Sequence, residues 1–205
     1  MKIHDVEQGS EEWHLKRSFI PTASNFKKII TSKGNPSKTI EAYAQELAGA
    51  CYAGKTLDKW HGNSSTDRGT ELEPEAREAY EFITGNEVKQ VGFITNKEET
   101  YGASPDGLIG ENGGIEIKCR EAKGHIETLL YFKKNGKCQP DYIAQSQGEI
   151  LVCELEWVDM FFYHPDLPSL IIRQEKNIQI QMALIKGIKE VNTRKEEILK
   201  TIQSF

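Results

Sequence analysis

Several features that mark whole classes of protein are missing from this sequence. No apolar run approaches the ~20 residues that a membrane-spanning helix needs, and residues 1–10 are polar and charged, unlike a signal peptide. None of the four cysteines forms a C-x-x-C pair, so the spacing of a zinc finger is absent. There is also no internal repeat and no low-complexity segment. These absences predict a cytoplasmic protein with free thiols and no membrane partner.

The chain also lacks the basic excess that nucleic-acid-binding proteins usually show. It has 26 Lys and Arg residues against 31 Asp and Glu residues, which gives a formal net charge of −5. Net charge averages over the whole surface, however, and does not exclude a locally basic site. With 205 residues, 38% hydrophobic and 28% charged, the composition is that of an ordinary globular protein. The length predicts a single domain over residues 1–205 with its own core.

Hydrophobic periodicity and turn signals predict an α/β fold in which a mixed sheet is flanked by helices. The third predicted helix, at 70–84, follows a loop at residues 62–69. Pro74 disfavours a continuous helix there, and it could instead occupy the first turn of a helix that begins near Glu73. The predicted helices cover residues 25–30, 39–53, 70–84, 140–152 and 178–202. The predicted strands cover residues 88–95, 100–109, 114–119, 155–163 and 170–174.

A predicted β-hairpin carries the sharpest chemical signal. An Asn-Gly pair at 112–113 indicates a tight turn that brings Asp106, in a Ser-Pro-Asp-Gly bend, opposite Glu116. Because side chains alternate along a strand, Glu116 and Lys118 share one face. Two converging carboxylates favour a hard cation such as Mg²⁺, and the backbone carbonyl of Ile117 is a further candidate ligand. Lys118 would then act on a metal-bound water.

Simpler interpretations of these residues exist. The hairpin could be a surface feature with a cross-strand salt bridge. Glu73 lies among other glutamates, and its spacing alone favours a solvated helix face. Tyr142, Gln145 and Glu149 share one predicted helical face. Tyr142 and Gln145 could contact metal-bound water or phosphate from that face, or they could lie on the surface.

Five short segments together make the sequence similar to the phage lambda exonuclease family. These viral recombinase-type alkaline exonucleases are a branch of the PD-(D/E)xK nuclease superfamily, and the resemblance implies a restriction-endonuclease-like core. The segments follow the family's order and span residues 12–147. They are Glu12-Trp13-His14 with Arg17 and Thr22-Ala23-Ser24; Gly69 with Glu73; Ser104-Pro105-Asp106-Gly107-Leu108; Glu116-x-Lys118-Cys119; and Tyr142-x-Ala144-Gln145-x-Gln147.

The resemblance implies a 5′→3′ exonuclease that digests one strand of linear double-stranded DNA and leaves 3′ tails for recombination. Such enzymes depend on Mg²⁺, with two ions expected and Mn²⁺ as a substitute, and they form homotrimeric rings. A single-strand annealing protein is the expected partner. The source would be a phage or prophage in a bacterial host cell.

The same resemblance assigns roles to individual residues. Asp106, Glu116 and the Ile117 carbonyl look like the metal ligands, with Lys118 as the catalytic lysine. Glu73 matches the family's helical carboxylate, which reverses the assignment made from spacing and adds a ligand, directly or through water. Lys123 and Arg120 are both candidates for the family's second phosphate-binding arginine. The remaining matches for the 5′-phosphate or DNA are Arg17, Ser24, Ser104, Tyr142, Gln145 and Gln147.

Three other functions remain open on the sequence. An iron–sulfur nuclease of the same superfamily is disfavoured because it needs four suitably placed cysteines and the last helix has none. A restriction- or repair-type endonuclease would cut closed circular DNA, which an exonuclease does not. A catalytically inactive module that binds DNA ends or recruits partners is disfavoured because Glu73, Asp106, Glu116 and Lys118 are all present.

Overall fold

A computed structural model gives the fold of residues 1–57 and 64–205, with the side chains at 64–67 and 70 left undescribed. The helices are α1 (Glu11–Ser18), α2 (Ile40–Ala53), α3 (Ser64–Thr84), α4 (Ala122–Asn135), α5 (Ile143–Val152) and α6 (Ile178–Ile202), with 3-10 turns at Ala23–Lys28 and Pro140–Tyr142. The strands are β1 (Lys2–His4), β2 (Phe93–Thr95), β3 (Gly102–Ala103), β4 (Gly107–Ile109), β5 (Gly113–Cys119), β6 (Trp157–Tyr163) and β7 (Leu170–Glu175). No helix among these described residues is long and apolar enough to cross a membrane.

A mixed four-stranded sheet in the order β4-β5-β6-β7 forms the centre of the fold. Strands β4 and β5 form the predicted antiparallel hairpin, β5 and β6 are parallel, and β6 and β7 are antiparallel. Parallel neighbours need a long crossover, and here α4 and α5 supply it. The predicted mixed α/β architecture is therefore confirmed. A second, antiparallel sheet, β1-β2-β3, was not predicted.

Two hydrophobic clusters lie on the two faces of this sheet. The larger one joins α2, α5 and α6 to β6 residues such as Met160 and Phe162. The smaller one packs Ala76 and Tyr80 of α3 against Ile115 and Ile117 of β5. Since side chains alternate along β5, Glu116 and Lys118 point away from α3, toward the face that α5 covers.

Several predicted boundaries were wrong. The helix expected near Glu73 is part of α3, which contains Pro74 in its interior. Residues 62 and 63 of the predicted loop lie outside the described residues, whereas residues 64–69 are helical. Proline removes one helical hydrogen bond, but burial of Ala76 and Tyr80 against the sheet offsets that loss. The predicted strand at 100–109 is two strands, β3 and β4, separated at Pro105.

Candidate active site

The β4–β5 hairpin places Asp106 beside the middle of β5. The Asp106 backbone N–H donates to the Ile115 carbonyl at 3.1 Å, and Gly107 pairs with Ile115. The Asp106 carboxylate accepts the Ile117 N–H at 2.5 Å. These contacts hold the carboxylate opposite Glu116, as predicted. The turn itself differs from the prediction, because Gly113 already pairs with Ile109 in the strand and Gly110, with φ of 56°, provides the left-handed residue of the loop.

Glu116 lies at the centre of a hydrogen-bonded group and is only 5% exposed. Its Oε1 atom accepts from Lys118 Nζ at 2.5 Å and from Gln145 Nε2 at 2.6 Å. The Tyr142 ring lies 5.8 Å from Lys118 Nζ. The segment with Tyr142 and Gln145 therefore faces the hairpin, and the interpretation of these two residues as surface positions does not hold.

Glu149 is a second buried carboxylate in this group, and the sequence assigned it no role. It follows Gln145 by one helical turn, is 1% exposed, and accepts from Gln145 Nε2 at 3.0 Å. One oxygen on each glutamate, Oε2 of Glu116 and Oε2 of Glu149, is buried without a hydrogen-bond partner. The only feature of the sequence that could have placed Glu149 in the site is its position four residues after Gln145, on the same helical face.

The carboxylates give this site an excess of negative charge. Burial and the neighbouring charge of Glu116 raise the pKa of Asp106 well above its usual range. Burial and Glu116 likewise raise the pKa of Glu149. Burial alone would lower the pKa of Lys118, but Glu116 and Asp106 outweigh it, so that the pKa is raised and the ammonium stays charged. One lysine does not neutralise the buried Glu116 and Glu149 together with the half-buried Asp106, so the site favours a further cation.

The donor atoms fit a hard divalent cation. Asp106 and Glu116 supply carboxylate oxygens, and the orphaned Oε2 of Glu116 is available as a ligand. Among the described residues, no three Asp, Glu, His or Cys side chains converge as a metal site on their own. Water and a backbone oxygen such as that of Ile117 would therefore complete the coordination. Mg²⁺ suits such a site because it retains several waters.

Glu73 approaches from α3, on the other side of the hairpin. It pairs with Arg77 one turn along the helix, with Oε1 2.5 Å from Nη2. Burial raises the pKa of Glu73, Arg77 opposes that shift, and the charge of Glu116 adds to it. The influence of Glu116 indicates that Glu73 lies near the hairpin carboxylates, and its ion pair with Arg77 favours contact with a cation through water.

A cluster of anion-binding groups forms where α1, the first 3-10 turn and the end of β3 meet. Arg17 donates to Ser104 Oγ at 3.0 Å and to Ser24 Oγ at 2.9 Å. The guanidinium stacks on Trp13, 4.0 Å from the ring centroid, and Trp13 also donates to Ser104 at 2.9 Å. Burial lowers the pKa of Arg17 to about 10. A partly desolvated guanidinium beside two hydroxyls is suited to a phosphate.

The anion cluster and Glu73 open onto a shared space. A cavity of about 1390 Å³ is lined by Trp13, Arg17, Ser24 and Glu73, among others. The charges of Glu116, Glu149 and Asp106 also act on Arg17. The fold thus brings together residues that lie up to about ninety positions apart in the sequence (Arg17 and Ser104 are separated by 87).

Two predicted DNA contacts are not part of this group. Gln147 is 3% exposed and bonds instead to the Glu175 carbonyl at 2.7 Å and the Asn177 N–H at 2.8 Å. Lys123 is exposed on the first turn of α4. The alternative candidate, Arg120, is half-buried, and its charge acts on Tyr142. The structure therefore favours Arg120 over Lys123 as a neighbour of the acidic site.

All four cysteines are free thiols, and three of them are buried. They belong to the described residues, among which no metal-binding cluster of His, Cys, Asp and Glu occurs.

Comparisons with known proteins agree with this arrangement. The profile of the YqaJ-like viral recombinase domain matches residues 12–156. The structure of an alkaline exonuclease (LHK-Exo) from Laribacter hongkongensis matches with a TM-score of 0.83 and 32% identity over 95% of this chain and 97% of that chain. The complex of LHK-Exo with dAMP matches with a TM-score of 0.82, 31% identity and the same coverage of 95% and 97%.

A phage-related exonuclease from Haemophilus somnus 129PT shares the fold, with a TM-score of 0.71 and 16% identity over 89% of this chain and 96% of that one. No curated protein matches the sequence significantly. The family profile covers more than half of the chain, and LHK-Exo covers nearly all of it. The resemblance to lambda-type alkaline exonucleases is confirmed, and the chain belongs to the family of YqaJ-like viral recombinase domains.

Proposed function

We propose that the protein is a Mg²⁺-dependent 5′→3′ exonuclease acting on linear double-stranded DNA. It digests one strand and leaves a 3′ single-stranded tail for recombination by strand annealing. One nuclease domain spans residues 1–205 and works in the cytoplasm of a bacterial host of a phage or prophage. Mn²⁺ would substitute for Mg²⁺.

The observation that carries this proposal is the anion-binding cluster, which shares a cavity with Glu73 and lies within electrostatic reach of Glu116 and Asp106. A hydrolytic site alone is compatible with any nuclease. The Arg17, Ser24 and Ser104 cluster adds a position for a terminal phosphate close to the carboxylates. Anchoring the 5′-phosphate there would present the adjacent phosphodiester to the hairpin and would fix both the end attacked and the bond cut.

The hairpin side chains divide the chemistry between them. Asp106, Glu116 and the Ile117 carbonyl would hold the cations, with Glu73 contributing through water. Bound cations of this kind lower the pKa of a bound water and stabilise charge on the attacking and leaving oxygens. The raised pKa of Lys118 keeps its ammonium charged, so it would orient the nucleophile and stabilise developing negative charge rather than take up a proton.

Substitution of Lys118 tests the assignment. Lys118→Ala should abolish Mg²⁺-dependent digestion of linear duplex, a loss of at least about a hundredfold, because the fixed charge at the reacting centre is lost. Binding to DNA ends should persist. Lys137→Ala, which removes an exposed lysine from the loop after α4, should digest normally. Full digestion by Lys118→Ala would overturn the site assignment, and cleavage of closed circular duplex by the wild type would indicate an endonuclease.

The assembly and the partner rest on the family resemblance. A homotrimeric ring would enclose the duplex and favour processive digestion, and a single-strand annealing protein would receive the 3′ tail. Light scattering should give three times the mass of the 23.2 kDa chain. A monomeric mass would contradict the ring.

A further inference from the structure

We propose that Glu149 is a positioning residue that aims Glu116 at the cation by fixing the side-chain amide of Gln145. This role rests on the proposed function, since it assigns Glu116 as a metal ligand. It concerns a residue that touches neither the substrate nor the reacting atoms. The three side chains form one chain of contacts from α5 to β5.

The first argument is the geometry of the shared donor. Gln145 Nε2 donates at the same time to Glu116 Oε1 at 2.6 Å and to Glu149 Oε1 at 3.0 Å. A glutamine amide has a donor end and an acceptor end. A flip would place its oxygen against two carboxylates, so Glu149 and Glu116 together select the orientation with nitrogen inward.

The second argument is that the two carboxylate oxygens of Glu116 have different hydrogen-bond partners. Oε1 is saturated by Lys118 at 2.5 Å and Gln145 at 2.6 Å. Oε2 has no partner, although it is buried. With Oε1 held by two donors, the carboxylate cannot rotate freely, and Oε2 is left available for a cation.

The third argument is the energetic cost of Glu149 itself. Burying a carboxylate with only one hydrogen bond is unfavourable, and Glu149 is 1% exposed with Oε2 unpaired. A leucine of similar volume would not carry that desolvation cost. Glu149 therefore does not stabilise the fold at this position. Its presence is explained by its role in orienting the Gln145 amide and, through it, the Glu116 carboxylate.

A double-mutant cycle on metal binding tests this role without DNA or turnover. Mn²⁺ would be titrated calorimetrically into the wild type and into Glu149→Leu, Gln145→Leu and the double variant. Each single variant should bind Mn²⁺ about tenfold more weakly, the usual cost of removing a residue that orients a ligand. Because both act through one contact, the double variant should be no weaker than either single variant.

Gln147→Leu is the matched control, because Gln147 is equally buried on α5 but bonds to Glu175 and Asn177. It should melt at a lower temperature yet bind Mn²⁺ as the wild type does. Glu149→Leu should melt in EDTA no lower than the wild type. Unchanged Mn²⁺ affinity in folded Glu149→Leu, or additive effects in the double variant, would overturn the role. Absence of any Mn²⁺ binding by the wild type would instead overturn the proposed function.

Discussion

Arg17 shows how one side chain can connect two parts of a site. It stacks on Trp13 of its own helix, donates to hydroxyls from two other segments, and lies within the electrostatic reach of Glu116 and Asp106. A half-buried guanidinium whose hydrogen-bond partners among the described residues are hydroxyl groups is incompletely compensated for its lost hydration. The arrangement is understandable if a phosphate supplies the missing negative charge when DNA binds.

Replacing Arg17 should therefore change which DNA ends the protein prefers. Wild type should digest 5′-phosphorylated duplex faster than 5′-hydroxyl duplex, and Arg17→Ala should lose about tenfold or more of that preference, because a charge-assisted hydrogen bond is removed. Rates on the two substrates would be compared under identical salt. Lys16→Ala, which removes the neighbouring cation paired with Glu12 at 3.6 Å, is the control. A preference that survives in Arg17→Ala would exclude the phosphate role.

Helix α5 is the support on which the acidic site depends. Its Gly148 lies so close to the 3-10 turn that an added Cβ would come within 2.4 Å of the Phe26 ring. Phe26 is fully buried. The glycine thus allows α5 to pack closely, and this packing sets the distance at which Gln145 reaches Glu116.

Filling that space should destabilise the protein. Gly148→Ala would force Phe26 or α5 to move, at a cost of about 1–3 kcal/mol in the free energy of unfolding. Gly69→Ala is the contrast, because no atom lies within 4 Å of its added Cβ in α3, and alanine should stabilise the helix by about 0.5–1 kcal/mol. Urea denaturation would measure both. Equal stability of Gly148→Ala and the wild type would contradict the close packing.

The hairpin was predictable because its signals are local. A glycine-containing turn, an alternating strand and a Pro-Asp-Gly bend lie within 16 residues of one another, so a short hairpin sets Asp106 opposite Glu116. The loop is residues 110–112 rather than the predicted Asn-Gly pair. The boundaries of α6, Ile178–Ile202, also followed from periodicity. Glu73 and the Arg17 cluster needed the family resemblance, since their partners are distant in the sequence.

Other features depend on tertiary packing and left little trace in the sequence. The extent of α3 through Pro74 depends on burial against β5, which outweighs the local preference. Gln147 and Glu149 both look polar and helical in the sequence, yet one binds the β7–α6 junction and the other the acidic site. Gln147, which has a structural role, and Glu149, which belongs to the site, are only two positions apart. The packing of α5, rather than the sequence pattern, determines these different roles.

The net charge of −5 becomes a question of where the charges lie. Part of the acidic excess is concentrated at Asp106, Glu116 and Glu149, where full or partial burial reduces screening by water. Groups whose pKa is raised in the folded state bind more protons there than in the unfolded chain. The stability that Asp106 and Glu149 contribute is therefore fully present below their ordinary pKa values of 3.8 and 4.5. It is lost as the pH rises through their raised pKa values in the folded protein.

The metal-free protein should therefore lose stability as the pH rises from about 4.5 toward neutrality. Mg²⁺ should restore it most at the higher pH, because cation binding then displaces fewer protons. Thermal melting in EDTA and in Mg²⁺, across pH 5–8, would measure both trends. Glu149→Leu should flatten the pH dependence in EDTA. A melting temperature in EDTA that increases with pH would contradict the raised pKa values of these carboxyl groups.

The most direct test of the proposed activity is digestion of linear duplexes that carry a label at either the 5′ or the 3′ end of one strand. With Mg²⁺, the 5′ label should be released first as a mononucleotide, and the 3′ label should remain on a shortening strand. EDTA should stop both. Early release of the 3′ label, internal cleavage, or digestion in EDTA would contradict a metal-dependent 5′→3′ exonuclease.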